Sequence, residues 1–217
     1  MNIGGRYFNH FLHLFDVESN PSSAIPKEIA CITDRDPERK LKSASGARFK
    51  KCYPFECDVD AANYEYQTHG PALVKQYASH PNIRFFTQSE KGKTFEYEMA
   101  WFNPYSELLI TDSISNRDEL NDLIVNFNAN KSFMELTSEL RNSDGNTLLN
   151  ESLTLCQWDE EEKKKALFSA RYLKSVGKGE NALELAYILS NNLEADEKQL
   201  PFTVPTYLKK SVEWICQ

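Results

Sequence analysis

The apolar segment Ile29–Ile32 lies between the polar residues Glu28 and Thr33. A run this short and this uniformly apolar predicts a strand that is buried on both faces, because a half-exposed strand alternates apolar and polar residues. A second strand is predicted from Ile83 to Thr87, and a helix from Ala72 to Ser79. Strands that alternate with helices favour an α/β fold, here a small parallel sheet flanked by helices.

Two aspartates, Asp34 and Asp36, follow the first predicted strand, and Pro37 stops strand pairing directly after them. Side chains two residues apart in an extended chain point to the same side, so both carboxylates can converge on one cation. Hard divalent ions such as Mg²⁺ prefer such oxygen ligands. A solvated surface turn is the alternative for an isolated Asp-x-Asp pair. A phosphotransferase with an aspartyl nucleophile fits poorly, because it needs a small hydroxyl residue where Pro37 and Glu38 stand.

Three further segments contain candidate site residues. Gly92–Thr94 is similar to the end of a phosphate-binding loop, but the earlier glycine of that motif is absent, which argues against an ATP site. Thr94 instead predicts the N-cap of a helix that contains Glu96. Glycines on both sides of Lys178 predict a tight turn between two helices. The basic stretch Arg39–Lys51 is either a solvated loop or a phosphate-facing one.

The second half of the chain has mainly helical patterning. Apolar residues recur at helical spacing in Arg117–Arg141, Lys163–Lys174 and Glu180–Asn191, and Val204-Pro205 precedes a final helix. We expect residues 1–112 to form the α/β core, and residues 113–217 to form a mainly helical part that completes it.

Net charge limits how this chain can contact nucleic acid. It contains 25 Lys and Arg against 32 Asp and Glu, a formal net charge of −7. Non-specific affinity for DNA comes mostly from basic side chains that neutralise phosphates, so the composition argues against binding by bulk charge. An enzyme that contacts phosphates through metal ions is still compatible with it, because such a site is built from carboxylates.

The sequence also predicts the cellular compartment. No apolar stretch approaches the roughly 20 residues that span a bilayer, and no secretory signal is apparent. The five cysteines include no CxxC pair, which favours reduced thiols over a zinc site. We therefore expect a cytoplasmic protein without membrane association.

Several of these elements, in this order, resemble the C-terminal Toprim region of the OLD (overcoming lysogenization defect) family nucleases. The matching elements are Gly4-Gly5 before an aromatic helix, Ile29–Asp36, Lys93–Glu98, Lys178–Ala186 and Phe202–Tyr207. Proteins of this family join an ABC-type ATPase to a Toprim nuclease, and members act in bacterial and phage conflict systems. The resemblance implies a Toprim-like fold and a Mg²⁺- or Mn²⁺-dependent DNA endonuclease with a role in phage defence.

The resemblance also implies roles for individual acidic residues. Asp34 and Asp36 match the Asp-x-Asp pair that holds divalent metal in the family. Thr94 and Glu96 match the hydroxyl-x-Glu segment that supplies further ligands, and Glu96 would also act in catalysis. In such a site two metal ions clamp the scissile phosphate, one activating water and the other stabilising the leaving oxygen.

A lysine completes the implied site. Lys178 matches the family's Lys-Gly-Glu element, and its ammonium would approach the negative charge that develops in the transition state. Lys174 is the less favoured alternative, because it is predicted to lie inside a helix.

One family feature is not found in this sequence. A Toprim domain begins with a strand that ends in a glutamate, but no glutamate precedes Glu18, which follows the first predicted helix. We therefore expect a fragment or split gene product with weak or no nuclease activity alone, and exposed apolar surface that favours homo-oligomers. The alternative is a non-catalytic Toprim-like binding or regulatory module that an ABC-type ATPase partner chain completes.

Overall fold

A computed structural model describes residues 8–57, 59–140, 143–195 and 199–217. Within these ranges the chain forms five strands and nine α-helices. The strands are β1 (Ile29–Ile32), β2 (Glu38–Leu41), β3 (Lys50–Lys51), β4 (Tyr64–Gln67) and β5 (Ile83–Phe86). The helices are α1 (Phe8–Leu12), α2 (Gly70–Gln76), α3 (Phe95–Phe102), α4 (Arg117–Asn128), α5 (Phe133–Ser138), α6 (Asp144–Leu155), α7 (Glu160–Ser175), α8 (Lys178–Glu194) and α9 (Thr206–Ile215).

The two strands predicted from apolar runs pair with each other. β1 and β5 are parallel, with Ile29 opposite Ile83 and Ile32 opposite Phe86. The predicted helix before β5 is also present as α2. The α/β class with a small parallel sheet is therefore confirmed.

A small apolar core holds helices against this parallel pair. Its buried members come from α1, β1 and β5, and they are Phe8, Leu12, Cys31, Ile83 and Phe85. Leu73 and Val74 of α2 pack against the same core, and α9 also contacts both strands. The predicted Gly4-Gly5 element lies outside the described residues.

A second sheet forms where the sequence predicted a basic loop. It is antiparallel, in the order β3-β2-β4. Its strands are joined by cross-strand side-chain contacts: the Lys40 ammonium lies 2.9 Å from the Glu65 carboxylate, and the Arg39 guanidinium lies over the Tyr64 ring. Opposite charges and aromatic contacts across a sheet stabilise strand pairing without alternation of apolar and polar residues. The hydrophobic pattern of the sequence therefore did not predict this sheet.

The larger apolar core is formed mainly by helices. Helix α7 runs against α3, and α4, α5 and α6 pack on α7. Fully buried side chains include Tyr97, Leu120, Leu153, Leu167 and Phe168. These residues come from both sides of the predicted boundary at residue 112.

The helical second half agrees in outline with the sequence prediction. α7, α8 and α9 cover the three predicted C-terminal helices, whereas the predicted segment Arg117–Arg141 is two helices, α4 and α5. The separation falls where Asn130 takes a left-handed backbone conformation (φ 54°). Among the described residues no helix is long and apolar enough to cross a membrane.

Candidate functional site

The two aspartates lie between β1 and β2, at the carboxyl end of the parallel pair. Strand pairing continues one residue beyond β1, where the Thr33 N–H donates to the Phe86 carbonyl (3.1 Å). Asp36 then takes a left-handed conformation (φ 43°), and its N–H donates to the Lys93 carbonyl (3.0 Å). A turn, rather than the predicted alternation of an extended strand, therefore sets the direction of the second carboxylate.

Asp34 is held by two hydrogen bonds to one carboxylate oxygen. Its Oδ1 accepts from the side-chain amide of Gln88 (2.9 Å) and from the backbone N–H of Phe95 (3.1 Å), the first residue of α3. Burial raises the pKa of Asp34, these hydrogen bonds oppose the rise, and the negative charges of Asp36 and Glu96 add to it. Asp34 is thus close enough to both other predicted acids to sense their charge.

Asp36 is paired with a cation of the chain itself. Both of its carboxylate oxygens lie 3.3 Å from the ammonium of Lys51, on strand β3. Its charge also acts on the buried Lys93: burial lowers the pKa of Lys93, and Asp36 offsets part of that effect. The Lys93 ammonium donates to the Cys52 carbonyl.

The hydroxyl-x-Glu segment forms the start of α3. Thr94 is its N-cap, as predicted, and the Thr94 hydroxyl accepts from the Tyr97 N–H (3.5 Å). Glu96 lies half-buried in the first helical turn, where the helix dipole stabilises a carboxylate. Its charge raises the pKa of Asp34 and contributes to the raised pKa of Tyr207. The structure therefore brings Glu96 near the aspartates, although Thr94 uses its hydroxyl as a helix cap.

The acids do not form a closed set of ligands in this arrangement. Within residues 8–57, 59–140, 143–195 and 199–217, no group of three or more His, Cys, Asp or Glu side chains is arranged to hold a metal ion. Asp34 nevertheless fits such a role, because both of its hydrogen bonds go to Oδ1 and Oδ2 has no partner among the described residues. Carboxylate oxygens of this kind are the ligands that Mg²⁺ and Mn²⁺ prefer.

The two candidate lysines lie at the junction of α7 and α8. Lys178 is the first residue of α8, so the predicted turn consists of Val176 and Gly177 alone. Its side chain lies outside the described part of the structure. Lys174 is in the last turn of α7, and burial lowers its pKa, as does the nearby positive charge of Arg171.

Two important buried residues were not predicted from the sequence. Gln88 follows β5 and connects three parts of the site: its amide donates to Asp34, its carbonyl oxygen accepts from the Arg35 N–H (2.7 Å), and it contacts the Tyr207 hydroxyl (3.4 Å). Glu98 is 1% exposed, and burial raises its pKa. Its Oε1 accepts from a backbone N–H, whereas Oε2 has no hydrogen-bond partner among the described residues. Only the Glu-x-Glu spacing at Glu98 offered a sequence signal.

A cavity of about 400 Å³ opens beside Asp36. Strand β3, the loop before α3, and helices α6 and α7 contribute to its wall. Its charged lining residues are Lys51, Lys93, Lys174 and Glu56. Lys51 thus borders both this cavity and the acidic site.

Comparison with known protein families, with curated proteins and with solved structures finds no match. The family resemblance therefore rests on the motifs of the sequence itself.

Proposed function

We propose that this chain is a Toprim-like, metal-dependent DNA endonuclease module of the OLD type, with Asp34, Asp36 and Glu96 as its metal-binding carboxylates. The observation that carries the proposal is the placement of the acids: Asp34 accepts from the N–H of Phe95 at 3.1 Å, and Phe95 opens the helical turn that contains Glu96. Asp34 is partly buried and feels the charge of both other acids, although Glu96 comes from a different segment of the chain. Gathering like charges is unfavourable, and the Lys51 ammonium offsets the charge of Asp36 alone. A divalent ion would offset the charges of all three acids, so the arrangement favours such a site.

The position of the acids in the fold also supports this function. Ligands of open α/β sheets bind outside the carboxyl ends of the parallel strands. Asp34 and Asp36 follow the carboxyl end of β1 and so lie at this position. The parallel sheet has two strands in the described part of the chain, so the Toprim assignment itself depends on the motifs. The same resemblance gives Lys178 its role and an ABC-type ATPase as the proposed partner.

Each side chain of the proposed site has its own role. Gln88 and the Phe95 N–H fix Oδ1 of Asp34 and so orient Oδ2. Asp34, Asp36 and Glu96 would hold Mg²⁺ or Mn²⁺, which neutralises phosphate charge and activates water. Lys178 would stabilise the charge that develops on the phosphate.

The proposal is tested with the purified 217-residue chain, a plasmid substrate and a titration of Mn²⁺ by calorimetry. We expect Mn²⁺ binding, with weak or no Mg²⁺- or Mn²⁺-dependent cleavage by the chain alone and stronger cleavage when an ABC-type ATPase partner is supplied. Asp34→Asn and Asp36→Asn should each abolish both properties. Asp122→Asn is the matched control, because Asp122 is an exposed acid on α4 and should have no effect.

The possible outcomes separate the two functions considered. Binding of Mn²⁺ without cleavage, even when an ABC-type ATPase partner is supplied, would favour the non-catalytic module. Absence of both binding and cleavage, or cleavage that survives Asp34→Asn, would refute the assignment of these carboxylates.

A further inference from the structure

The cavity beside Asp36 carries more positive charge than its own residues neutralise. Three lysines from separate elements line it: Lys51 from β3, Lys93 from the loop before α3, and Lys174 from α7. The carboxylate in the lining, Glu56, already forms an ion pair with Arg39 at 3.1 Å. The lysines therefore exceed the acids that are available to them within the cavity.

Two of the lysines have no carboxylate partner among the described residues. Lys93 is 7% exposed; it donates to the Cys52 carbonyl, and its ammonium lies 5.0 Å from the centre of the Tyr53 ring. Lys174 is exposed at the cavity wall, and the structure gives it no hydrogen bond or ion pair with a described residue. The buried Lys93 has the charge of Asp36 nearby but no ion pair with a described carboxylate. A buried ammonium without a directly paired carboxylate is costly, so the cavity favours an anionic ligand.

The cavity also has the right position for a substrate group. Lys51 lines it and at the same time contacts both carboxylate oxygens of Asp36 at 3.3 Å. An anion bound by the lysines would therefore lie next to the acidic site.

We propose that Lys51, Lys93 and Lys174 bind a phosphate group of the DNA strand, next to the one held at the carboxylates. The DNA assignment rests on the proposed nuclease function. The shared chemistry is recognition of a phosphate dianion or diester by ammonium groups. A free phosphate is the other source of that chemistry, and the experiment separates the two.

Binding is measured in EDTA, so that the metal site makes no contribution. The probe is a fluorescein-labelled single-stranded oligonucleotide, titrated with the full chain by anisotropy at several salt concentrations. Inorganic phosphate is titrated by calorimetry. Each phosphate contact on a single strand contributes a slope of about −0.7 to a plot of log affinity against log salt concentration. A variant that loses one contact should therefore bind roughly fivefold more weakly than wild type at 0.1 M salt, if the two bind equally at 1 M. Lys51→Gln and Lys174→Gln should each show this loss and a shallower salt slope.

Gly145 provides a variant that keeps every lysine. A Cβ built at Gly145 would lie 3.4 Å from the Lys174 ammonium, which is an ordinary van der Waals contact. Gly145→Asp therefore introduces a carboxylate beside Lys174 and should weaken oligonucleotide binding at least as much as Lys174→Gln. Gly145→Asn is the uncharged control, and Lys75→Gln removes an exposed lysine of α2 that does not line the cavity.

Unchanged binding of both oligonucleotide and inorganic phosphate in the folded lysine and Gly145→Asp variants would overturn the inference. Loss of inorganic phosphate binding with unchanged oligonucleotide binding would overturn the DNA assignment. If the variants lose oligonucleotide binding while the chain never cleaves DNA or binds Mn²⁺, the proposed nuclease function fails and the phosphate site stands. Urea unfolding midpoints establish that each variant is folded.

Discussion

Gln88→Met tests most directly how the candidate site is held together. Gln88 is 2% exposed and links the strand β5 side of the site to the Asp34 turn. It accepts from the Arg35 N–H at 2.7 Å and donates to Asp34 Oδ1 at 2.9 Å. Methionine has nearly the same length and shape, so the substitution removes hydrogen bonds while creating little empty space.

The expected cost follows from the group that loses its partner. The Arg35 N–H is left without its acceptor, whereas Asp34 Oδ1 retains the Phe95 N–H. A buried donor left unsatisfied costs about 1–3 kcal/mol, so the free energy of unfolding should fall by about 1–3 kcal/mol. For a chain of this size 1 kcal/mol corresponds to about 2–4 °C in Tm, which predicts a decrease of roughly 2–12 °C. Without the amide of Gln88, Asp34 Oδ1 is held less firmly. We therefore also expect weaker Mn²⁺ binding.

The assay is urea unfolding followed by circular dichroism, with Mn²⁺ titrated into the folded variant. Gln76→Met is the matched control, because Gln76 is an exposed glutamine at the end of α2 and should change stability by less than about 0.5 kcal/mol. If Gln88→Met costs less than about 1 kcal/mol, or leaves Mn²⁺ affinity unchanged, Gln88 does not position Asp34 through these hydrogen bonds.

Two further predictions concern charge and close packing. Burial raises the pKa of Asp34 in the folded state, so the fold loses stability as pH rises through that pKa and the carboxylate ionises. Asp34→Asn removes this ionisation. The variant should therefore have a higher urea midpoint than wild type at pH 7 and nearly the same midpoint below pH 4. A Cβ at Gly92 would lie 2.0 Å from Oε2 of the buried Glu98, so Gly92→Ala should destabilise the protein by about 1–3 kcal/mol, and equal Tm values for variant and wild type would contradict this.

Local patterns in the sequence were sufficient for the elements that bring the acids together. The apolar run at β1 indicates a buried strand and the run at β5 indicates a second strand, and the two pair in parallel. The prediction that β1 is buried on both faces is met only in part, because Cys31 is buried but Ile32 is 45% exposed. Thr94 was identifiable as an N-cap because a hydroxyl there satisfies a free backbone N–H. The approximate location of Asp34, Asp36 and Glu96 follows from these local signals.

Features that depend on contacts between distant segments could not be predicted in this way. Gln88 matters because Arg35 and Asp34 lie 53 and 54 residues away in sequence, and nothing beside Gln88 indicates such partners. The antiparallel sheet is stabilised by charged and aromatic cross-strand pairs, which leave no hydrophobic period. Lys174 lies near Lys51 through the packing of α6 and α7 around the cavity.

Lys51 couples the acidic site to the lysine-lined cavity. Its side chain is 62% exposed and that of Asp36 16%, so their ion pair contributes only about 0–1 kcal/mol. If the acids bind a divalent ion as proposed, that ion would displace the ammonium of Lys51 at small cost. The released ammonium would remain near the cavity and add positive charge for the proposed phosphate. Since coupling between two binding sites is reciprocal, a phosphate that draws Lys51 away from Asp36 would also increase the affinity of the acids for metal. Under the proposed function, an acidic chain would in this way bind DNA phosphates through a small local excess of lysines that metal binding strengthens.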